Sequence, residues 1–380
     1  MFENIIAGVK KLSHSNEGIV PLHAPWFDQA DEDAVAACVR STFVSSVGAE
    51  INTFEQELAA YTGSPYAVAV VNGTAALHTA LLLNDVGPND LVITQAFTFI
   101  ATCNSIAYTG AAPVFLDIDP DTLGLSPSKV LHWLESECEL REGHCIHRAS
   151  GKRVKACIPM HSFGSLMYIE LLVELCAEWN IAVIEDAAEA LGSHKTGRQA
   201  GTFASMGTLS FNGNKIMTSG GGGALLLKDE AMAIAAKHLT TQAKVPHPWA
   251  FAHDRTGYNY RMPNLNAALA RTQLQKLPHN IFVKRELHEG YRELFRNTPW
   301  SLLEEPSGTT SNYWLNALLL KDRTERDSFL QACSKVGIQA RPVWELATDQ
   351  PMYLNSIQDD LSVSRYMQDR LVNLPSSARP

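Results

Sequence analysis

The feature that most constrains the fold is a repeated alternation of strand patterns with helical patterns between residues 66 and 229. Short aliphatic runs bounded by turn residues alternate there with segments whose apolar residues recur at helical spacing. The predicted strands are YAVAVV (66–71), DLVITQ (90–95), APVFLDI (112–118), KACIPMH (155–161), IAVIED (181–186), GTLSFN (207–212) and GALLLKD (223–229). Such a pattern predicts an α/β fold with a mostly parallel, seven-stranded sheet.

The chain is expected to form a large and a small domain behind an N-terminal arm. The arm would cover residues 1–30, the large domain residues 31–250, and a smaller C-terminal α/β domain residues 251–380. The alternation loosens after residue 250, and two prolines within KVPHPWAF (244–251) favour a boundary loop. The charged, turn-rich segment 136–153 is expected to be a surface loop or insertion.

Charge and hydropathy narrow the possible partners. The 380 residues carry a formal net charge of -9, which argues against a nucleic-acid-binding surface because phosphate backbones attract basic proteins. The N-terminal MFENIIAGVKKL lacks the features of a signal peptide, and no stretch of about twenty apolar residues suggests a membrane span. Because the net charge is negative, an anionic ligand would have to be bound by groups within its own binding site.

The seven cysteines are an odd number scattered through the sequence, which fits a reduced, cytoplasmic protein better than a disulfide scaffold. Cys138 and Cys145 lie near His144 and His147, and these residue types are common zinc ligands. Because no CxxC pair accompanies them, a polar surface loop is the favoured interpretation and no metal site is expected.

The chemically most informative segment is SFNGNK followed by IMTSGGGGAL, residues 210–225, which places Lys215 after a strand and before four glycines. A lysine that forms a Schiff base needs a short, fixed tether, and glycine permits close backbone approach. The lysine precedes the glycines, so the pattern is not a nucleotide P-loop. Taken alone, a flexible glycine hairpin with a solvated lysine explains the segment equally well.

Two further segments are compatible with the same chemistry. Asp186 ends a buried strand, at the edge where open α/β sheets bind ligands, and a carboxylate there can keep a pyridine nitrogen protonated. NGTAAL (72–77) leads from a strand into an apolar helix, and backbone N–H groups at a helix start bind phosphate. Separately, the first is more simply a turn or helix cap and the second an ordinary strand-to-helix turn.

The order of six segments along the chain carries more weight than any one of them. These are NGTAAL (72–77), TFIAT (98–102), EDAAEALGS (185–193), SFNGNK (210–215), GGGGAL (220–225) and GYNYRMPNLNAAL (257–269). Together they resemble the DegT-like sugar-nucleotide aminotransferases, which are fold-type I enzymes that use pyridoxal 5'-phosphate (PLP). The resemblance runs over nearly the whole chain.

Four finer segments are similar to the subgroup of legionaminic-acid-type pathways (LegC-like). They are STFVSSVG (41–48), KACIPMHSFG (155–164), HLTTQAKVPHPW (238–249) and SNYWLNA (311–317). That subgroup aminates the 4-keto group of a UDP-linked 4-keto-6-deoxy-N-acetylhexosamine. The resemblance implies L-glutamate as the amino donor, such a nucleotide sugar as the acceptor, and ping-pong kinetics.

The resemblance also implies roles for individual residues. Lys215 would carry PLP as a Schiff base and move protons, and Asp186 would pair with the pyridine nitrogen. The other residues expected to bind the cofactor are Gly73, Thr74 and Ser210 at its phosphate, Phe99 stacked on its ring, and Glu189 on the ring's hydroxyl side. Many relatives have Gln or His at the position of Glu189.

Asn259 would reach the cofactor phosphate of a neighbouring subunit, which implies a homodimer with shared active sites. Tyr258 and Arg261 are weaker candidates for the same interface. The residues that could contact the sugar or nucleotide are His161, Tyr313, Trp314 and Arg341, although aromatic residues are more often part of a core.

Three alternative functions fit parts of the pattern. A PLP-dependent sugar dehydratase of the same fold would have histidine in place of Lys215. A non-catalytic regulator could keep the fold, but the intact set of Lys215, Asp186 and Ser210 argues against it. A dinucleotide-dependent oxidoreductase is disfavoured because no GxGxxG follows a strand.

Overall fold

The computed structural model describes residues 2–13 and 18–379. Eleven α-helices lie in these residues: α1 (Phe2–Leu12), α2 (Gln29–Ser41), α3 (Ala49–Thr62), α4 (Gly73–Leu83), α5 (Ile100–Tyr108), α6 (Pro127–Glu137), α7 (Ile169–Glu178), α8 (Glu230–Thr240), α9 (Asn264–Phe295), α10 (Arg323–Lys335) and α11 (Ser362–Gln368).

The same residues contain nineteen strands, several of them only two residues long: β1 (Tyr66–Val70), β2 (Asp90–Gln95), β3 (Ala112–Leu116), β4 (Cys138–Arg141), β5 (His144–His147), β6 (Arg153–Ile158), β7 (Ala182–Asp186), β8 (His194–Lys195), β9 (Arg198–Gln199), β10 (Met206–Ser210), β11 (Gly223–Leu227), β12 (Lys244–Val245), β13 (Ala252–His253), β14 (Ser301–Leu302), β15 (Thr309–Thr310), β16 (Asn316–Leu319), β17 (Arg341–Pro342), β18 (Ile357–Gln358) and β19 (Leu371–Leu374).

A large, mainly parallel sheet has the strand order β1-β11-β10-β7-β6-β2-β3-β18. Only β11 runs antiparallel to its neighbours along this path, where it lies between β1 and β10. The seven strands predicted from the sequence are all present, and the short β18 extends the sheet in parallel beside β3. The predicted α/β fold with a mostly parallel central sheet is confirmed.

The two faces of this sheet are covered by different helices. Apolar residues of α4 and α8 form one core with the sheet, while α3, α6, α7 and the first half of α9 form the larger core on the other face. This double cover explains why the strands are apolar throughout rather than alternating with polar residues.

The charged and turn-forming residues of segment 136–153 predict a surface loop or insertion. The structure shows more regular structure there than a loop would have. The segment forms the β4–β5 hairpin, and β5 pairs antiparallel with β6 at Arg153. Cys138 and Cys145 are buried in the hairpin, and Trp133 stacks on His147 with ring centroids 5.6 Å apart. Across residues 2–13 and 18–379, no group of three or more His, Cys, Asp or Glu side chains is arranged to hold a metal ion.

A second, antiparallel sheet has the strand order β14-β16-β19-β17. Its core contains residues of α10, the C-terminal half of α9, and the N-terminal helix α1. Thus α1 packs on α9 and α10 within this second core, while β18 joins the large sheet. The domain division at residues 30 and 250 stays a prediction. Among the described helices, none is long and apolar enough to cross a membrane.

Candidate functional site

The ends of β1, β10 and β7, with β11 between β1 and β10, bring the predicted residues to one rim of the large sheet. Asp186 ends β7, Ser210 ends β10, and Gly73 begins α4 just after β1. Gly223 in β11 pairs with both Val70 and Ser210, so it lies between the ends of β1 and β10. This rim is the edge at which open α/β sheets bind ligands.

Gly73 and Ser210 approach each other too closely for a side chain at residue 73. A Cβ placed on Gly73 would lie 2.9 Å from the Ser210 Cβ. Asn72 caps α4 by accepting a hydrogen bond from the Ala75 N–H at 2.8 Å, and the first-turn N–H groups of a helix lack acceptors within the helix. A small cradle formed by a helix start and a serine hydroxyl fits a phosphate group.

Asp186 is a buried carboxylate at the same rim. Its Oδ2 accepts a hydrogen bond from the Thr102 hydroxyl at 2.7 Å, and its Oδ1 accepts one from the Ala188 N–H at 3.2 Å. Burial raises the pKa of Asp186, while the Thr102 hydrogen bond opposes that shift. A cationic ring nitrogen placed against this carboxylate would stabilise its charged form, so the residue fits the expected cofactor.

Lys215 is held in place rather than solvated. Its Nζ lies 3.3 Å from Glu189 Oε1 and 4.3 Å from the centre of the Trp314 ring, and its side chain is only 12% exposed. Trp314 is fixed in turn by an indole N–H donated to the Asn214 carbonyl at 2.7 Å. The end of the glycine run is also packed, because a Cβ on Gly222 would lie 2.6 Å from Ser219 Oγ and one on Gly223 would lie 2.5 Å from the Asn72 carbonyl carbon. A flexible glycine hairpin with a solvated lysine is therefore wrong.

Glu189 is the anionic neighbour of Lys215. Its Oε2 accepts a hydrogen bond from the Phe163 N–H at 2.9 Å, and Phe163 has a left-handed φ of 57°. Burial raises the pKa of Glu189 to about 7, while the charge of Lys215 acts in the opposite direction. Near neutral pH the Glu189 side chain therefore changes between a protonated carboxyl, which can donate a hydrogen bond, and a carboxylate, which can only accept one.

Replacing Glu189 by glutamine should remove a pH-dependent cost to stability. The carboxyl has a raised pKa in the folded protein, so its ionised form lowers the free energy of unfolding as the pH rises from 4.5 to about 7. One pKa unit corresponds to about 1.4 kcal/mol, so full ionisation of Glu189 lowers the free energy of unfolding by roughly 3 kcal/mol. We expect Glu189→Gln to raise the melting temperature of cofactor-free protein clearly at pH 7.5 and little at pH 5.

Glu170→Gln is the matched control, because Glu170 forms a partly exposed ion pair with Lys195. It should show no comparable change between the two pH values, since exposed pairs contribute little. A Glu189→Gln variant with the same stability difference from wild type at both pH values would contradict the raised pKa.

The predicted substrate residues are placed very differently from one another. His161 is fully buried, and both of its nitrogens are used, one by Glu185 Oε2 at 3.1 Å and the other by the Met167 N–H at 3.3 Å. Tyr313 stacks on His288 at 3.7 Å. Trp314 contacts Lys215, whereas Arg341 is exposed on β17 in the smaller sheet. Of the four residues, only Trp314 is seen in contact with Lys215.

Phe99 and Asn259 are both exposed. Phe99 precedes α5, in whose first turn Thr102 binds Asp186. Asn259 and Arg261 line an open cavity of about 710 Å³ together with Lys244, His247 and Val47. Two cationic side chains, Lys244 and Arg261, line the cavity, which favours an anionic ligand or partner group.

Several residues of the site have no role assigned from the sequence. Thr102 lies within TFIAT, but its hydrogen bond to Asp186 spans 84 positions and depends on the fold. The Phe163 N–H that binds Glu189 is a backbone group and leaves no residue-type signal. His23, whose ring lies 6.4 Å from that of Trp314, belongs to a segment without a recognisable motif.

Comparison with known proteins places these features in a family. The model of the DegT/DnrJ/EryC1/StrS aminotransferase family matches residues 26–379. EpsN of Bacillus subtilis (strain 168), named as a pyridoxal phosphate-dependent aminotransferase, is 34% identical over 94% of this chain and 90% of its own. A GDP-perosamine synthase of Vibrio cholerae is 33% identical over 94% of both chains.

A solved structure agrees with the sequence comparison. The aminotransferase TlmJ from Streptoalloteichus hindustanus superimposes with a TM-score of 0.85 and 25% identity over 94% of each chain. The agreement covers both the large sheet and the smaller one. The chain belongs to the DegT/DnrJ/EryC1/StrS family and is a pyridoxal-phosphate-dependent sugar aminotransferase.

Proposed function

We propose that this enzyme moves the amino group of L-glutamate to the 4-keto group of a nucleotide-linked 4-keto-6-deoxy sugar. The favoured acceptor is a UDP-2-acetamido-2,6-dideoxy-4-keto-hexose, and the product would serve the synthesis of amino sugars for surface glycans. The observation that carries the proposal is the fixed position of Lys215 between Glu189 and Trp314, beside the buried Asp186. An intact lysine at this position argues against the dehydratase alternative.

The roles of the side chains follow from their surroundings. When bound, PLP supplies an electron sink that stabilises negative charge on the amine-bearing carbon of the substrate. Lys215 Nζ would take a proton from that carbon and deliver it to the C4′ carbon of the cofactor, and its short, packed tether keeps the amine in reach. Asp186 would hold a positive charge on the ring nitrogen, while Gly73, Thr74 and Ser210 would bind the phosphate.

Two carrier nucleotides are candidates for the acceptor sugar. Similarity of segments 41–48 and 311–317 to the LegC-like subgroup supports UDP, whereas the similar GDP-perosamine synthases support a GDP-linked sugar as the alternative. Initial rates with matched UDP- and GDP-linked 4-keto-6-deoxy sugars decide between them. We expect the UDP-linked acetamido sugar to have the higher kcat/KM, and a preference for the GDP-linked sugar would contradict that choice.

We further propose a cytoplasmic homodimer in which Asn259 completes the active site of the partner. Trp249 and Phe251 at the tip of the β12–β13 hairpin are 82% and 85% exposed. The hairpin lines the same cavity as Asn259, and large exposed apolar side chains next to polar groups are typical of interfaces. A second copy of the chain would cover these two rings. The cavity lined by Asn259 would then face the start of α4 and Ser210 in the other copy.

Complementation between two inactive variants tests this arrangement. Lys215→Ala lacks the essential amine, and Asn259→Asp places a carboxylate against the partner's phosphate, so each homodimer should be nearly inactive. A heterodimer, co-expressed with two different affinity tags, contains one site with both native residues if Asn259 acts in the partner's site. We expect about half of the wild-type activity from it. An inactive heterodimer would show that Asn259 acts within its own subunit, and an active Asn259→Asp homodimer would show that the residue is not needed.

A further inference from the structure

Two threonine hydroxyls form a chain of hydrogen bonds that ends at the carboxylate of Asp186. Thr102 Oγ1 donates to Asp186 Oδ2 at 2.7 Å, and Thr98 Oγ1 lies 3.0 Å from Thr102 Oγ1. All three residues are buried, with at most 3% of their surface exposed. The hydroxyls are therefore donors that the protein itself supplies to Asp186, in a place that bulk water does not reach.

The direction of this chain follows from the charge at its end. An ionised carboxylate only accepts, so the Thr102 hydroxyl donates its single proton to Asp186 and its oxygen accepts from Thr98. Thr98 has two other acceptors in reach, but the Phe99 carbonyl is farther away at 3.3 Å, and the Met160 thioether at 2.9 Å is a weak acceptor. Because each hydroxyl polarises the next, the pair stabilises negative charge on Asp186 more than Thr102 alone would.

This stabilisation matters because burial opposes the charged form of Asp186. Burial raises the pKa of the carboxyl, and the effects that oppose this shift are, in order of size, the Thr102 hydrogen bond, the Ala188 N–H, and the charges of Lys215 and His161. The Thr102 and Ala188 donors each bind a different oxygen, at 2.7 and 3.2 Å. They therefore restrain the orientation of the carboxylate as well as favouring its charge.

The backbone of Asp186 is held as firmly as its side chain. Its N–H donates to the Pro159 carbonyl at 2.9 Å, and its carbonyl accepts from the His161 N–H at 3.1 Å. Thr102 lies in the first turn of α5, so its hydroxyl is placed by a different element from the one that carries Asp186. The carboxylate is thus fixed from two sides of the sheet rim.

Resting on the proposed role of Asp186, we infer that Thr102 and Thr98 are positioning residues for the cofactor, whose hydroxyls keep Asp186 ionised and in one orientation. When PLP is bound, a proton between the carboxylate and the ring nitrogen lies on one of the two partners. Donors to the carboxylate favour the nitrogen, and a protonated ring is the better electron sink.

Thr102→Val tests the inference, because valine has nearly the same shape as threonine and lacks the hydroxyl. We expect the single-turnover rates of both half-reactions to fall by about tenfold or more, as for the loss of a hydrogen bond to a charged group. Thr98→Val should lower them by about twofold, since it removes only the polarising donor. Thr102→Ser restores the hydroxyl and should remain within about twofold of the wild type.

Thr94→Val is the matched control, because Thr94 is also fully buried and donates its hydroxyl to the Ile158 carbonyl at 2.7 Å, between β2 and β6. This variant loses a buried hydroxyl of the same kind without removing a donor to Asp186. It should retain wild-type rates at equal cofactor occupancy.

A second measurement follows the proton itself. The ¹⁵N chemical shift of PLP labelled at the ring nitrogen separates the protonated from the unprotonated ring. We expect the protonated value in the wild type, in Thr102→Ser and in Thr94→Val. In Thr102→Val the signal should move toward the unprotonated value, because a less stabilised carboxylate draws the shared proton to Asp186. A purely structural role of Thr102 would not move this signal.

Four results would overturn the inference. Unchanged rates in Thr102→Val would show that the hydroxyl is not needed, and slower rates with an unchanged nitrogen signal would make Thr102 structural. Equal losses in Thr102→Ser and Thr102→Val would show that the hydroxyl is not the group that acts, and Thr98→Val with wild-type rates would remove Thr98 from the chain. A wild-type enzyme whose ring nitrogen is unprotonated would instead overturn the proposed role of Asp186, and this inference with it.

Discussion

Lys215→Ala is expected to lower the rate of both half-reactions by about 10⁴-fold or more, because it removes the amine that moves the proton in each of them. The native amine has its place set by Glu189 at 3.3 Å and by the Trp314 ring at 4.3 Å. Rapid-mixing absorption measurements with glutamate, and separately with the keto sugar, give the rate of each half-reaction. Both should fall together, since the same amine moves the proton in each.

Lys195→Ala is the matched control, because Lys195 is a partly exposed lysine paired with Glu170. It should retain wild-type rates. Mass spectrometry after borohydride reduction gives an independent view, since the wild type should carry the cofactor on Lys215 and the variant should carry none there. Normal turnover by the purified Lys215→Ala variant would show that the assignment of the lysine is wrong.

Asp186→Asn should lower the rate of both half-reactions by roughly 10² to 10³-fold. The amide has nearly the same shape and can still accept the Thr102 hydroxyl, which lies 2.7 Å from the native Oδ2. It has no negative charge with which to keep the ring nitrogen protonated, and breaking a buried ion pair by removing one partner typically costs about 3 to 5 kcal/mol. Single-turnover rates measured at equal cofactor occupancy check this prediction.

The same substitution should not lower the stability of the cofactor-free protein at neutral pH. Burial raises the pKa of Asp186, so the ionised form reduces the free energy of unfolding above the ordinary Asp range, and asparagine removes that cost. The expected result is a melting temperature at or above that of the wild type. A variant that loses activity because it is poorly folded would contradict this account of Asp186.

The sequence-based predictions succeed where local pattern decides the structure. The strands of the large sheet are apolar throughout because helices cover both faces, so their positions could be predicted within a few residues. Asp186, Ser210 and Gly73 could be placed at one rim because parallel strands end on the same side. The structure brings these residues together, and their individual roles stay predictions.

Contacts between distant segments are what the sequence could not reveal. The charged residues of segment 136–153 predict an exposed segment, yet two of its cysteines are buried. The environment of these cysteines depends on Trp133 and β6. The packing of α1 on α9 and α10 brings the first helix against helices far along the chain.

The central claim is that one cofactor-loaded enzyme accepts nitrogen from glutamate and passes it to a nucleotide-linked keto sugar. The most direct test is the visible absorption spectrum of PLP-reconstituted protein, recorded alone, after L-glutamate, and after a UDP-linked 4-keto-6-deoxy-N-acetylhexosamine. We predict a yellow band that glutamate bleaches and the keto sugar restores. A yellow band that glutamate leaves unchanged, or one that is bleached and that neither the UDP-linked nor the matched GDP-linked keto sugar restores, would contradict the claim.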